Sequence, residues 1–226
     1  MDDLIVDFVE QGACIKVEAA LGSVPAGVAK SLTHKANRSI EVTMRVSRTI
    51  IFVDLSGFSE YLRNTDDAEA KRVLTHFRRV SRDLASEVGV RIDKFLGDGF
   101  MAVSVEELSG ITFAMELHRR LKEPGKGLRL RIGIASGEMM LIDGDDYIGE
   151  PPNLASRLCD EAHKFGTLIP TDQTRHLPAG VRAESVGDFD LRGFAKLIAV
   201  SRLSGEPLNL RRNDTEELWT RTPYAV

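Results

Sequence analysis

Apolar residues recur along the chain at two spacings, and each spacing predicts a type of element. After Asp66 they fall three or four apart as far as Gly89, which predicts a long amphipathic helix. Asp66 or Thr65 is suited to cap its start, and Gly89 is suited to end it. Further helices are predicted over residues 108–121 and 151–163.

Residues 48–55 are rich in apolar and β-branched residues, which predicts a buried strand. Two more strands are predicted at 90–96 and 100–104, on either side of the turn residues Gly97-Asp98-Gly99, which predict a tight hairpin. Further strands are predicted at 128–140, 167–170 and 199–203, with a polar loop at 144–149. The resulting order predicts an α+β fold, a ferredoxin-like βαββαβ core with an αβ extension.

The two ends of the chain are patterned more weakly. Residues 1–44 predict an N-terminal arm, in which Leu4 to Val9 form a short helix, and residues 205–226 predict a polar C-terminal tail. The remainder, 45–204, is then one domain. In a chain of 226 residues with 42% hydrophobic and 28% charged residues, one folded domain is the expected organisation.

Charge and cysteine content exclude several classes of protein. A net charge of −4 disfavours non-specific nucleic-acid binding, which needs a basic surface. Cys14 and Cys159 are too few for a structural zinc site or a disulfide framework, and they favour a reducing cytoplasm. The chain begins with acidic residues, whereas a signal peptide begins with basic ones, so no signal peptide is expected. It lacks an apolar run of about 20 residues, so no membrane span is expected.

Two aspartates occupy positions suited to metal binding. Asp54 ends the buried strand 48–55, and Asp98 lies at the hairpin tip. In a βαββαβ sheet these strands are neighbours, so the two carboxylates can converge and bind Mg²⁺ together with substrate phosphates. Taken singly, each aspartate has a simpler interpretation, Asp54 as the cap of the next helix and Asp98 as a turn former.

A third segment, DYIGEPPNLASRL at 146–158, contains the start of the last predicted helix. Asn153 and Arg157 are four residues apart and share one face of that helix, while Leu154 and Leu158 lie on the opposite, buried side. The polar pair therefore points toward a ligand or simply toward solvent. The chain lacks a GxxxxGK[ST] phosphate loop, and no GxGxxG follows a strand, which excludes those nucleotide-binding families.

Three sequence blocks, FVDLSGFSEY, KFLGDGFMAV and DYIGEPPNLASRL, together resemble the signature blocks of class III adenylyl and guanylyl cyclases, and the resemblance extends over about residues 48–203. It implies conversion of ATP into cyclic AMP and pyrophosphate by in-line attack of the ribose 3′-hydroxyl on the α-phosphorus. It also implies that Asp54 and Asp98 bind two Mg²⁺ or Mn²⁺ ions per active site.

The resemblance assigns the remaining site residues as well. Lys94 and Asp146 match the pair that reads adenine, where guanylyl cyclases tend to have Glu and Cys-like residues. Asn153 matches the residue that orients the ribose, and Arg157 the one that stabilises the pentavalent phosphate. Contacts with the phosphates are expected from Arg192, less so Lys196, and from the turn at Gly57 and Phe58.

In the family each active site is shared, so the resemblance implies a homodimer with two complete sites. Pro151-Pro152 departs from the β-branched residues common before the asparagine. Three other functions stay open at this point: a catalytically silent ATP-binding regulatory module, a guanylyl cyclase, and a diguanylate cyclase or polymerase-palm relative with the same sheet topology. A purely structural interaction domain would require every match to be accidental.

Overall fold

A computed structural model of the chain describes residues 9–10, 13–14, 44–122, 127–142 and 146–207. The chain divides into two compact units. One comprises Met1–Val46 with Met139–Ile148, and the other comprises Ser47–Glu138 with Gly149–Val226. All of the candidate site residues except Asp146 belong to the second unit.

The described residues form ten strands and four α-helices. The strands are β1 Val9–Glu10, β2 Ala13–Cys14, β3 Met44–Ser56, β4 Arg91–Leu96, β5 Gly99–Ser104, β6 Arg129–Ile142, β7 Asp146–Ile148, β8 Thr167–Pro170, β9 Val181–Phe189 and β10 Ile198–Gly205. The α-helices are α1 Phe58–Asn64, α2 Asp67–Val88, α3 Glu107–Arg120 and α4 Glu150–Glu161. Short 3₁₀ turns cover Ala162–Lys164 and Thr171–Gln173. None of these helices is both long and apolar enough to cross a membrane.

The main sheet has the strand order β4-β5-β3-β6-β8-β10-β9, and β7 pairs with β6. Numbered within the βαββαβ core, the first four strands follow the order 2-3-1-4, which confirms the predicted ferredoxin-like topology. The pairs β3–β5, β4–β5, β8–β10 and β9–β10 are antiparallel, whereas β6–β8 is parallel. Strands β8, β10 and β9 therefore extend the core sheet beyond β6.

Helix α2 forms where its apolar spacing and end residues predict it. The Asp66 side chain accepts a hydrogen bond from the backbone N–H of Glu69 at 2.8 Å, which satisfies one of the helix's unpaired donors. At the other end Gly89 takes φ +71°, a left-handed conformation that suits glycine. Phe77 and Leu84 on this helix are fully buried in the core.

The two faces of the sheet are built from alternate residues. Along β3, Ile51, Val53 and Leu55 belong to the hydrophobic core, which also takes residues from α2 and α3. Because side chains alternate along a strand, Asp54 lies on the opposite face. Along β6 the same alternation places Arg131 on that opposite face, between core residues Leu130 and Ile132.

Some elements differ from the sequence prediction. The polar loop predicted at 144–149 is wrong in part, because Asp146–Ile148 forms β7 and pairs antiparallel with β6. The short helix predicted from Leu4 is wrong at Val9, which pairs with Cys14, and residues 4–8 lie outside the described residues. Strand β9 was not predicted, and a helix start was expected at the turn after Asp54 without the extent of α1. The boundaries 1–44, 45–204 and 205–226 stay a prediction, and residues 208–226 also lie outside the described part of the chain.

Candidate functional site

The ends of β3 and the β4–β5 hairpin bring two carboxylates together. Asp54 lies directly opposite Gly99, the residue that follows Asp98. A Cβ atom at Gly99 would lie 2.6 Å from the Val53 carbonyl oxygen and 3.0 Å from Asp54 Oδ1. Only glycine therefore allows the hairpin to approach the Asp54 side chain this closely.

The electrostatics at Asp98 show the consequence of this approach. Burial and then the negative charge of Asp54 raise the pKa of the Asp98 carboxyl above its ordinary value. The carboxylate pair therefore carries a repulsion that a bound cation would relieve. We call Asp54, Asp98 and the neighbouring Arg131 the carboxylate cluster.

Arg131 is a member of this cluster that the sequence motifs did not reveal. Its Nε donates to Asp54 Oδ2 at 2.6 Å, and its Nη1 donates to the Asp160 carbonyl oxygen at 3.5 Å. The alternation LRLRIGI contained the signal, because it places Arg131 on the face of the sheet that also carries Asp54.

Helix α4 packs directly against β6 beside this cluster. A Cβ atom at Gly133 would lie 2.0 Å from the Ala155 carbonyl oxygen and 2.3 Å from the Cys159 backbone nitrogen. The Cys159 thiol donates to the Arg131 carbonyl oxygen at 3.4 Å. Burial raises the pKa of this thiol to about 12, so it stays protonated at neutral pH and serves as a packing residue.

A cavity of about 490 Å³ contains three of the predicted residues. It is lined by Glu150, Asn153, Arg157, Arg192, Gly193, Phe194 and Ala195. We call it the α4 cavity. Within the described residues its lining includes Arg192 but not Lys196. The acidic Glu150 is an additional lining residue that the sequence analysis did not single out.

Helix α4 presents the two polar residues as the sequence predicts. Leu154 and Leu158 are buried, whereas Asn153 is exposed and donates to the Gly149 carbonyl oxygen at 3.2 Å. The Arg157 guanidinium lies 3.4 Å from Asp160 Oδ2, one helical turn along. Both polar side chains therefore face away from the core and toward the cavity.

The remaining predicted residues occupy other places. Lys94 lies on β4 with an exposed side chain, and its Nζ is 3.4 Å from Asp93 Oδ2. Asp146 is the exposed first residue of β7, opposite Ile142, and belongs to the other compact unit. Their role in reading the purine stays a prediction.

The turn after β3 offers backbone groups rather than side chains. Gly57 takes φ +90° and precedes α1, and its carbonyl oxygen accepts the N–H groups of Glu60 and Tyr61. The Phe58 side chain is buried in the core. Any contact of Phe58 with a ligand would therefore come from its backbone N–H.

The donor set at the carboxylate cluster fits a divalent metal ion that shares its ligands with a substrate. Across the described residues, no three His, Cys, Asp or Glu side chains form a group that could hold a metal ion by themselves. Mg²⁺ in nucleotide enzymes is commonly held by one or two carboxylates plus substrate phosphates, which two aspartates can provide. The raised pKa of Asp98 indicates that positive charge would be favourable here.

Comparison with known proteins identifies the family. A family model described as the adenylate and guanylate cyclase catalytic domain matches residues 40–202, most of the chain. The chain belongs to this family. The resemblance of its three sequence blocks to class III cyclases is thereby confirmed, and the chain carries a nucleotidyl cyclase domain.

Two relatives show how much of the chain and of longer proteins is matched. An uncharacterized Mycobacterium tuberculosis protein is 29% identical over 167 residues, which cover 74% of this chain and 44% of that protein. An adenylate cyclase of Streptomyces coelicolor is 31% identical over 138 residues, covering 58% of this chain and 36% of that protein. The matched cyclase domain thus spans less than half of either relative.

The fold has a counterpart among solved structures. The crystal structure of the adenylyl cyclase CyaB from P. aeruginosa matches with a TM-score of 0.64 and 22% identity, covering 74% of this chain and 98% of that chain. At this identity the likeness shows the fold alone. The α+β architecture of the sheet and helices is therefore that of the cyclase catalytic domains.

Proposed function

We propose that this chain is an adenylyl cyclase that converts ATP into 3′,5′-cyclic AMP and pyrophosphate at a site shared between two copies of the chain. The observation that carries the proposal is that the hairpin tip with Asp98 lies beside Asp54, where the end of β3 is opposite Gly99. Burial and then the negative charge of Asp54 raise the pKa of Asp98, and a divalent cation bound to a triphosphate would relieve the repulsion between the two carboxylates.

Asp54 and Asp98 would hold two Mg²⁺ or Mn²⁺ ions. When bound, such ions would neutralise the triphosphate and favour ionisation of the ribose 3′-hydroxyl. Arg131 already neutralises Asp54, so a cation arriving there competes with this guanidinium for the same carboxylate. Asp54 and Asp98 would thus determine where the bound cations contact the triphosphate.

The α4 cavity supplies the groups expected around the reacting phosphorus. As the 3′-oxygen bonds to the α-phosphorus and pyrophosphate departs, negative charge grows on the phosphate oxygens. The planar guanidinium of Arg157 is suited to pair with those oxygens, and Arg192 in the same cavity is suited to the departing phosphates. Asn153 would hold the ribose ring in the orientation needed for attack.

ATP is proposed over GTP because of Lys94. An ammonium group can donate to adenine N1, whereas guanine presents an N–H at that position, so two donors would face each other. Asp146 would accept from the adenine amino group. The family as a whole includes guanylate cyclases, so guanylyl cyclase activity is the second candidate function.

A shared site is proposed from the resemblance to the family, in which one copy provides the metal aspartates and the other the purine and transition-state residues. This chain has a candidate for each role, so two identical copies would form two complete sites. Such a homodimer needs no different partner chain.

The test is a turnover assay with the purified chain. We expect cyclic AMP and pyrophosphate in equal amounts from ATP with Mg²⁺ or Mn²⁺, no product in EDTA, and a lower kcat/KM for GTP. Higher efficiency with GTP would replace the proposal by the guanylyl alternative. ATP binding without pyrophosphate release under any metal condition would show a silent regulatory module instead.

A further inference from the structure

Strand β4 contains one residue more than its partner requires. Its pairing with β5 runs in register from Arg91 to Ile92, then shifts, so that Ile92 lies opposite Ala102 and Lys94 lies opposite Met101. Asp93 is therefore the extra residue of a β-bulge. The strand order shows that β4 lies at the edge of the sheet, where bulges are common.

The bulge changes which side chains face the core. Ile92 and Phe95 both pack against the hydrophobic core, although they are three residues apart. In a regular strand two residues on one face are separated by an even number, so Lys94 would accompany Ile92. The extra residue instead turns Lys94 away from the core, to the face that also carries Asp54.

The Asp93 side chain itself is held between two cations. Only 3% of it is exposed, its Oδ1 accepts from Arg91 Nη2 at 2.7 Å, and its Oδ2 lies 3.4 Å from Lys94 Nζ. Oδ2 is buried and accepts no hydrogen bond. Since a buried carboxylate oxygen without a donor is costly, a small movement of the Lys94 ammonium toward it would be favourable.

A lysine ammonium has three donors, so it can contact a carboxylate and still donate to a ligand. A lysine side chain is long and flexible, so it loses conformational entropy when it binds a purine. A buried carboxylate on the preceding residue restricts the ammonium before the purine binds and so reduces that loss. We propose that Asp93 is a positioning residue that holds the Lys94 ammonium where it reads the purine. This inference rests on the proposed function of Lys94.

A simpler role for Asp93 is to stabilise the bulge through Arg91. The two roles are separable, because a positioning residue acts only while Lys94 is present, whereas a structural one acts regardless. A double-mutant cycle of Asp93→Asn and Lys94→Met measures this dependence. Asp83→Asn is the matched control, because it removes the same charge from an exposed position on α2.

We expect Asp93→Asn to raise KM for ATP about five- to tenfold with little change in kcat, and to reduce the preference for ATP over GTP by a similar factor. Lys94→Met should have at least this effect, and adding Asp93→Asn to it should change nothing further. The Asp83→Asn protein should resemble the wild type. Thermal unfolding of each variant shows whether the fold is kept, and Asp93→Ser removes the same charge if the amide does not fit.

Effects of Asp93→Asn that persist in full in the Lys94→Met background would overturn the proposal and leave the structural role. So would an unchanged ATP preference in a folded Asp93→Asn protein. The same cycle is also read by equilibrium binding of ATP and GTP, which needs no turnover. A wild-type protein that binds ATP but makes no cyclic AMP therefore refutes the proposed function, while the binding cycle still decides the role of Asp93.

Discussion

At the carboxylate cluster a negative side chain already has a cation against it, whereas at the α4 cavity two arginines surround space that a ligand could fill. The Asp54 side chain is 22% exposed and contacts Arg131 at 2.6 Å, while that of Arg157 is 42% exposed and lies 3.4 Å from Asp160. Exposed ion pairs contribute little stability, so the contact with Asp160 fixes Arg157 only weakly. The first region is therefore set in place before any ligand binds, and the second depends more on its ligand.

The contrast predicts its largest effect at Asp54. Asp54→Ala should lower kcat/KM for ATP at least about a thousandfold, because a metal ligand is lost and the Arg131 guanidinium remains without its carboxylate. The cyclase assay measures this, and a titration with Mn²⁺ should show weaker metal binding. Retention of more than a tenth of the activity would remove Asp54 from the metal site.

Mixing this variant with Arg157→Ala tests whether the two regions serve one site from different copies. Random pairing of equal amounts makes half of the dimers mixed, each with one complete site, so about a quarter of wild-type activity should return. Absence of recovery in mixtures shown to contain mixed dimers would contradict a shared site.

The contact between the two regions predicts a large effect on stability. Gly133→Ala should lower the free energy of unfolding by about 3 kcal/mol, because its Cβ would meet backbone atoms of α4 rather than movable side chains. Urea unfolding measures this change. Gly110→Ala is the control, since its Cβ would meet side-chain atoms and alanine favours the helix. Similar stability of the two variants would mean that α4 can move away from β6.

Arg157→Ala alone should impair turnover without impairing metal binding, whereas Asp54→Ala should impair both. We expect kcat and kcat/KM to fall by similar factors, roughly a hundredfold, because the guanidinium acts on charge that develops in the transition state. Metal binding should be unchanged, in contrast to Asp54→Ala. If Arg157→Ala instead lost Mn²⁺ affinity, metal binding would depend on the α4 cavity as well as on the carboxylate cluster.

The smallest effect concerns Asp98 and pH. The folded state raises the pKa of Asp98, so ionised Asp98 lowers the stability of the folded state at pH values above that pKa. Below the ordinary value of 3.8 the carboxyl is protonated in both the folded and the unfolded state, and the loss of stability disappears. Asp98→Asn should therefore raise the melting temperature by about 1–2 °C at pH 7 in EDTA, and by nothing near pH 3. Calorimetry across this range checks it, and a lower melting temperature at pH 7 would reverse the assigned sign.

How much the sequence predicted depends on how local each signal is. The bounds of α2 follow from Asp66, Gly89 and the apolar spacing between them, all of which act within the helix. Strand β9 was missed because most of its side chains are exposed, so the strand has no apolar alternation to detect. Its position follows from backbone pairing with β10, which sequence patterns do not report.

The candidate site shows the same division. The sequence blocks indicated Asp54, Asp98, Asn153 and Arg157, and the structure places these residues on two clusters of one compact unit. Arg131 and Asp93 were not found, because their importance lies in contacts with residues 77 positions and one position away. The first contact requires two strands to be combined, and the second requires a register shift that no periodicity reveals.

The extra residue in β4 makes the length of that strand as informative as its composition. Deleting Asp93 would restore regular spacing without exchanging the two faces, because Ile92 and Phe95 would then lie two positions apart on the core side, with Lys94 between them on the other side. The lysine would keep its place on the surface and lose the buried carboxylate beside it. A homologous sequence with a gap at this position would therefore present the same lysine on the same face without that carboxylate.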